Sequence, residues 1–171
     1  MNDATPSVRP VRFGCKDTLR IPRREIFEGL LNLEKWNSFK GYGPLPGIRE
    51  ATFVFRNDEG AGSVIRVENT DGSVHQERIL EWLPNERAVI ELSGFAFPLS
   101  ALASRFVETW SFAVEGEASL IRRDFELYPV NECARPVLWM ISLLLRRAVS
   151  RHLRVLAKGD HSGESISLTK Q

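Results

Sequence analysis

Long hydrophobic runs are missing from this chain of 171 residues, and so are most of the residue patterns that carry catalysis. The longest apolar stretch, Pro136 to Leu145, is interrupted by Ser142 and is too short to span a bilayer. Histidine occurs three times, as His75, His152 and His161, and cysteine twice, as Cys15 and Cys133. The cysteines lie far apart without Cys-x-x-Cys or Cys/His spacing, so neither a metal nor a redox cofactor is expected. Two reduced, partly buried thiols suit a cytoplasmic protein; a disulfide joining the first strand to the last helix is the minority alternative. No Gly-x-Ser-x-Gly, His/Glu metal spacing or phosphate-cradling glycine loop is present, so catalytic residues stay unassigned. A dominant charge is missing too. With 23 basic and 22 acidic residues the net charge is +1, and no global field recruits nucleic acid or an anionic membrane. The polar opening Met1-Asn2-Asp3-Ala4-Thr5-Pro6-Ser7 does not read as a secretory signal.

What is present is an ordinary globular composition, 43% apolar and 26% charged, in a length that suits one domain. Residues 1–10 and 159–171 are polar and aperiodic and read as loose tails around a single domain, 11–158. Phe13, Cys15, Leu19 and Ile21 alternate with basic residues as a half-buried strand should, with Asp17 interrupting the apolar face. Pro22 suits a helix start, and Ile26, Phe27, Leu30 and Leu31 follow at helical spacing. A second short helix carries Leu33, Trp36 and Phe39. After the Gly- and Pro-rich segment 41–47, six strands are expected at 49–56, 62–70, 73–83, 87–95, 106–115 and 118–128. Asp71-Gly72 reads as a two-residue hairpin turn. Short returns force antiparallel neighbours. The last element runs from near Glu132 to about Lys158, with Val137, Leu138, Ile141, Leu144, Leu145, Ala148, His152 and Val155 on its apolar face and arginines opposite. One helix cannot cover a seven-stranded sheet, so the sheet is expected to curl and leave an apolar hollow.

Certain stretches resemble the START-related helix-grip (SRPBCC) superfamily, in particular its polyketide cyclase/dehydrase-like branch. They are Ile21-Pro22 with Ile26-Phe27 and Leu30; Glu34-Lys35-Trp36; Gly43-Pro44-Leu45-Pro46-Gly47-Ile48; Gly60-Ala61-Gly62-Ser63; and Glu77-Arg78-Ile79-Leu80-Glu81 leading to Pro84. The likeness runs from about Val11 to Leu156. It implies an α+β helix-grip fold, with a curved antiparallel sheet wrapped around a long C-terminal helix and two short helices after the first strand. It also implies non-covalent binding or transport of a hydrophobic small molecule, such as a lipid, isoprenoid, quinone or polyketide-like compound. A cyclase or dehydratase using the same cavity is one alternative. A protein-interaction module related to the coenzyme Q-binding and toxin-like branches is another, and a homodimer is left open.

Candidate ligand contacts follow from the expected register. Pairing across Asp71-Gly72 as a two-residue turn puts Val67 opposite Gln76 and Ile65 opposite Arg78, so Ile65, Val67, Arg78, Leu80 and Trp82 face inward and His75 outward. Trp110, Phe112, Ile121, Phe125 and Leu127 define the apolar face of the last two strands, and Glu108 and Arg123 share it. Asp17, Arg78, Glu108 and Arg123 therefore either orient a ligand, form internal ion pairs, or lie at strand ends in water. Tyr42 and Leu45 are candidates for a lid, Phe97 for a second mouth element, and Trp36, Ile141 and Leu145 for the remaining wall. The apolar run 137–141 covers more than one helical face, so Trp139 and Met140 either pack in the core or meet the cavity, a lid or a dimer partner.

Overall fold

The computed structural model describes residues 8–159; the tail expected at 159–171, apart from Gly159, which ends the last helix, and most of that at 1–10 lie outside the described residues. A strand β1 (Val11–Leu19) is followed by helix α1 (Arg23–Gly29) and a 3-10 helix (Leu33–Ser38). The strands β2 (Ile48–Phe55), β3 (Val64–Asn69), β4 (Val74–Leu83), β5 (Arg87–Ser93), β6 (Ala103–Glu115) and β7 (Ala118–Pro129) come next, and helix α2 (Arg135–Gly159) last. All seven strands form one antiparallel sheet in the order β1-β7-β6-β5-β4-β3-β2. The meander is local except for β1, which pairs with β7 and so closes the order across the length of the chain.

Turn chemistry sets the register. Gly116 has φ +62° in the two-residue β6–β7 return, where Glu115 pairs with Ala118. The β3–β4 hairpin departs from the expected turn. Gly72 N–H donates to the Asn69 carbonyl, Asn69 N–H donates to that of Ser73, and Gly72 has φ +85°. This is a three-residue loop, Thr70-Asp71-Gly72, in which glycine takes the left-handed position after a type I turn. Asp71 holds it by accepting from both the Ser73 N–H and the Ser73 hydroxyl.

One extra loop residue moves the pairing by one, so Val67 faces His75, Ile65 faces Glu77 and Val64 faces Arg78. A shift by one exchanges the two faces of a strand. Arg78 and Leu80, expected inside, point outward and are exposed; His75, expected outside, is buried with Glu77 and Ile79. A register shift between Ile79 and Glu81 then restores the original parity. Trp82 therefore lies inside, with its ring 4.2 Å from that of Phe27 on α1.

The inner face of the sheet is covered by α2, which lies chiefly against β1, and by α1, whose Phe27 reaches Trp82 and Phe112. Cys15 on β1 is tied to α2: its thiol donates to the Arg146 carbonyl and accepts from the Ser150 hydroxyl at 3.2 Å. Both cysteines are free; Cys133, expected to be partly buried, is exposed. On α2 the buried side is built from Leu138, Ser142, Ala148, Val149 and Leu153, whereas Val137 and Val155, assigned to the apolar face, are exposed. The helix begins at Arg135 rather than near Glu132, because residues 132–134 form a turn in which Asn131 accepts from the Ala134 N–H.

The hollow expected between sheet and helix is filled in its central part. Ile65 and Val67 on β3, Ile121 and Leu127 on β7, and Leu138 and Val149 on α2 have 0% exposure. Side chains with no accessible surface border no space large enough for water, so these positions are close-packed. Two pockets stand elsewhere. One of about 820 Å³ lies between the α1/3-10 segment and β2, and one of about 390 Å³ lies where Pro10 and Val11 meet Arg135, Pro136 and Trp139.

Candidate functional site

Two strings of polar side chains are buried on the inner face, in otherwise apolar surroundings. Alternation along β6 and β7 points Glu108, Trp110 and Phe112 inward together with Ile121, Arg123 and Phe125. Arg123 and Glu108 are each 6% exposed, and the Arg123 Nε donates to Glu108 Oε1 at 2.5 Å. The guanidinium also lies over the Trp110 ring, 4.1 Å from its centroid. A cation so placed gains from the negative face of the indole as well as from the carboxylate. Burial pushes the Glu108 carboxyl up, and the Arg123 charge and hydrogen bond oppose that shift without cancelling it.

From Arg123 the string continues to α2 and then to the 3-10 helix. Arg123 Nη1 is 3.0 Å from His152 Nδ1, and His152 Nε2 is 3.0 Å from the Ser38 hydroxyl. A guanidinium can only donate, so Nδ1 must accept and the ring proton must sit on Nε2. Burial first, and the charge of Arg123 second, push the His152 imidazole down to about 3, which keeps it neutral. This polarity settles what the trio can do. A histidine that activates a serine needs a free lone pair facing the hydroxyl and an acceptor behind it. Here the lone pair is taken by a cation, and the Ser38 hydroxyl accepts a hydrogen bond from the ring Nε2–H. Ser38 is not a nucleophile in this arrangement.

The second string runs from Asn69 at the end of β3 to His75 and Glu77 on β4, which the three-residue loop sets inside. Asn69 Nδ2 is 3.4 Å from His75 Nδ1, and His75 Nε2 is 3.2 Å from Glu77 Oε1. Phe95 and Phe106 close over it, with ring centroids 4.8 Å apart. The negative charge of Glu77 adds to the upward push on Glu108. Among the described residues no group of three or more His, Cys, Asp or Glu side chains is placed to hold a metal ion.

With this architecture in hand, comparison with solved structures is decisive for the fold. A START superfamily protein from Mycobacterium smegmatis superposes with a TM-score of 0.67 over 86% of this chain and 97% of its own, at 10% identity. This chain has the helix-grip fold. Major latex-like protein 151 from Panax ginseng shares it, with a TM-score of 0.61 at 15% identity over 87% of this chain and 98% of its own. So does CalU16 from Micromonospora echinospora, at 0.57 and 12% identity over 90% and 80%. No protein-family model and no curated protein sequence matches the chain.

Within the helix-grip frame the expected contacts divide. Ile65, Glu108, Trp110, Phe112, Arg123 and Phe125 line the buried inner face, and Trp82, Ile141 and Leu145 pack against it half-buried. Trp36 packs at its margin and spends its indole N–H on the Leu30 carbonyl. Leu45 is half-buried, while Tyr42 and Phe97 are exposed. The 41–47 segment is a tied turn: Tyr42 and Leu45 exchange backbone hydrogen bonds, and Gly47 is bound to Thr70. Gly41 is required there, because at φ +69° a Cβ would strike the Leu45 carbonyl oxygen. Arg78 and Leu80 drop out of the site, being on the outer face. Sequence reasoning missed Ser38, His75 and Glu77. Correct loop length at Gly72 would have found the last two; nothing local signals Ser38.

Proposed function

We propose that this chain binds a hydrophobic small molecule non-covalently, with a carbonyl or carboxylate of the ligand directed at Arg123. One observation carries the reading. The 3-10 helix Leu33–Ser38 is both a wall of the 820 Å³ groove, through Leu33, Glu34 and Asn37, and the anchor of His152, through Ser38. Displacing that helix opens the groove and, in the same movement, frees the Nε2–H of His152, the ring that holds Arg123 Nη1. The groove has the volume of a small-molecule site, and Leu31, Leu33, Ala51 and Phe53 give it an apolar share. The helix-grip fold is shared with a START superfamily protein, and the buried interior is apolar apart from the two polar strings and Ser63, Ser119 and Ser142. The ligand class proposed is a lipid, isoprenoid, quinone or polyketide-like compound, and the location proposed is the cytoplasm.

A cyclase or dehydratase activity is the second reading, and it rests on Glu108, the buried carboxyl whose pKa is raised. It is weaker, because Glu108 is already engaged by Arg123 and His152 has no lone pair to offer. The test is native mass spectrometry of protein purified from its own source, together with displacement of anilinonaphthalene sulfonate. A co-purifying apolar adduct that displaces the dye supports binding. Protein free of adduct that leaves the dye unbound removes the proposal. An Arg123→Met variant that loses stability yet keeps full affinity removes Arg123 from it.

A further inference from the structure

The outer side of α2 is composed unlike the rest of the surface. From Arg135 to Gly159 the chain contains Arg135, Arg146, Arg147, Arg151, Arg154 and Lys158 and not one acidic residue. The side turned away from the sheet divides along its length. Its first half exposes Val137, Trp139 (57%), Met140 (63%) and Leu143; its second half exposes Arg146, Arg147, Arg151 and Arg154. Among the described residues no carboxylate lies within 4.0 Å of any of these arginines or of Arg135, whereas Arg12, Arg24, Arg49, Arg66, Arg87, Arg105 and Arg122 each have one. Elsewhere pairing is mixed, since Arg9, Arg20, Arg23, Arg56 and Arg78 have no carboxylate within that distance either, but among the described residues only α2 gathers five unpaired arginines on one element.

A second exposed aromatic lies at the same end of the sheet. Phe97 is 82% exposed, in the segment between β5 and β6. That segment is joined to the entry of α2, since Val130 N–H donates to the Leu102 carbonyl and Ala103 pairs with Pro129. Val130 is exposed as well. Aromatic and sulfur-bearing side chains left in water next to unpaired arginines suit a surface that is apolar at one depth and anionic at another.

We infer that the outer side of α2 docks on an anionic lipid bilayer, with Trp139, Met140 and Phe97 entering the acyl boundary and Arg146, Arg147, Arg151 and Arg154 meeting the headgroups. A second copy of the chain is a poorer occupant, because a two-fold contact sets a face against itself, and the same face of a partner carries no carboxylate to meet these arginines. No helix among the described residues is long and apolar enough to cross a membrane, so the association is with the surface. The inference does not depend on the ligand-binding reading.

The test is flotation of the full chain with vesicles of phosphatidylcholine, with and without phosphatidylserine. The chain should float with the mixed vesicles, stay behind with phosphatidylcholine alone, and be released by salt. Arg147→Gln with Arg151→Gln should lower the partition coefficient about fivefold per arginine. Trp139→Ser with Met140→Ser should lower it with an unchanged circular dichroism spectrum. Absence of flotation on the mixed vesicles overturns the inference. So does flotation that survives both double substitutions, or a dimer in sedimentation velocity that Met140→Ser dissolves while vesicles go unbound.

Discussion

Arg122 and Arg123 are neighbours on β7, and each is paired with a carboxylate, yet they belong to different worlds. The Arg122 side chain is 62% exposed beside Asp124 on the outer face, while that of Arg123 is 7% exposed beside Glu108 and beneath α2. The outer face repeats the first pattern along the sheet, with Arg12–Glu126, Arg49–Glu68, Arg87–Glu81 and Arg105–Glu91 all in contact with water. The difference teaches that an ion pair's worth is set by what replaces it when broken. Water accepts a lone charge on the outer face. Inside, nothing does.

Substituting Arg123→Met is the hardest test of that contrast. It should cost about 3–5 kcal/mol, because Glu108 is left buried without its partner. Adding Glu108→Leu should return most of the loss, as urea denaturation of the single and double variants will show. Next come two glycines, one on each side. Gly60 has φ +83°, and a Cβ there would meet the Trp82 ring at 2.6 Å, so Gly60→Ala should cost roughly 3 kcal/mol through strain and overpacking together. Gly72 has φ +85° with nothing nearby, and Gly72→Ala should cost only about 1 kcal/mol.

The pH dependence sharpens the contrast further. His152 titrates near 3 in the folded chain, below its ordinary value of 6.5, so the unfolded chain takes up the proton first on acidification. Stability should therefore fall as pH drops from about 6.5 to about 3, with a slope from this group of up to ~1.4 kcal/mol per pH unit. Glu108, with its pKa raised by burial, works the other way: as pH falls the folded chain takes up this proton before the unfolded chain does, which favours the folded state. His152→Gln should flatten the acid limb, and an unchanged limb would show that the imidazole is not held neutral. Smallest of all is Arg122→Gln, which should leave the urea midpoint where it is.

Much of this was legible before the structure. The inward set on β6 and β7 could be read because the large apolar residues share one parity, Trp110 with Phe112 and Ile121 with Phe125 and Leu127. That parity carried Glu108 and Arg123 inside with them. On β4 the same logic failed for a definite reason. Thr70-Asp71-Gly72 satisfies a three-residue turn as readily as Asp71-Gly72 satisfies a two-residue one, and the choice between them decides whether Arg78 or Glu77 meets the core. On α2, Val137 and Val155 are apolar but exposed, and Val149 and Leu153 take their place because the helix is rotated by its contact with β1. The link from Arg123 to His152 and Ser38 joins residues far apart in sequence, and no local pattern announces it.

The unpaired basic helix has an electrical consequence for the whole molecule. Six of the 23 basic residues and none of the 22 acidic ones fall in α2, so the remainder holds 17 against 22. A nearly neutral total thus conceals a strong molecular dipole. In the field of any charged surface such a body experiences torque before it experiences net attraction, and it arrives already turned. It should adhere to a cation exchanger more firmly than its net charge of +1 suggests.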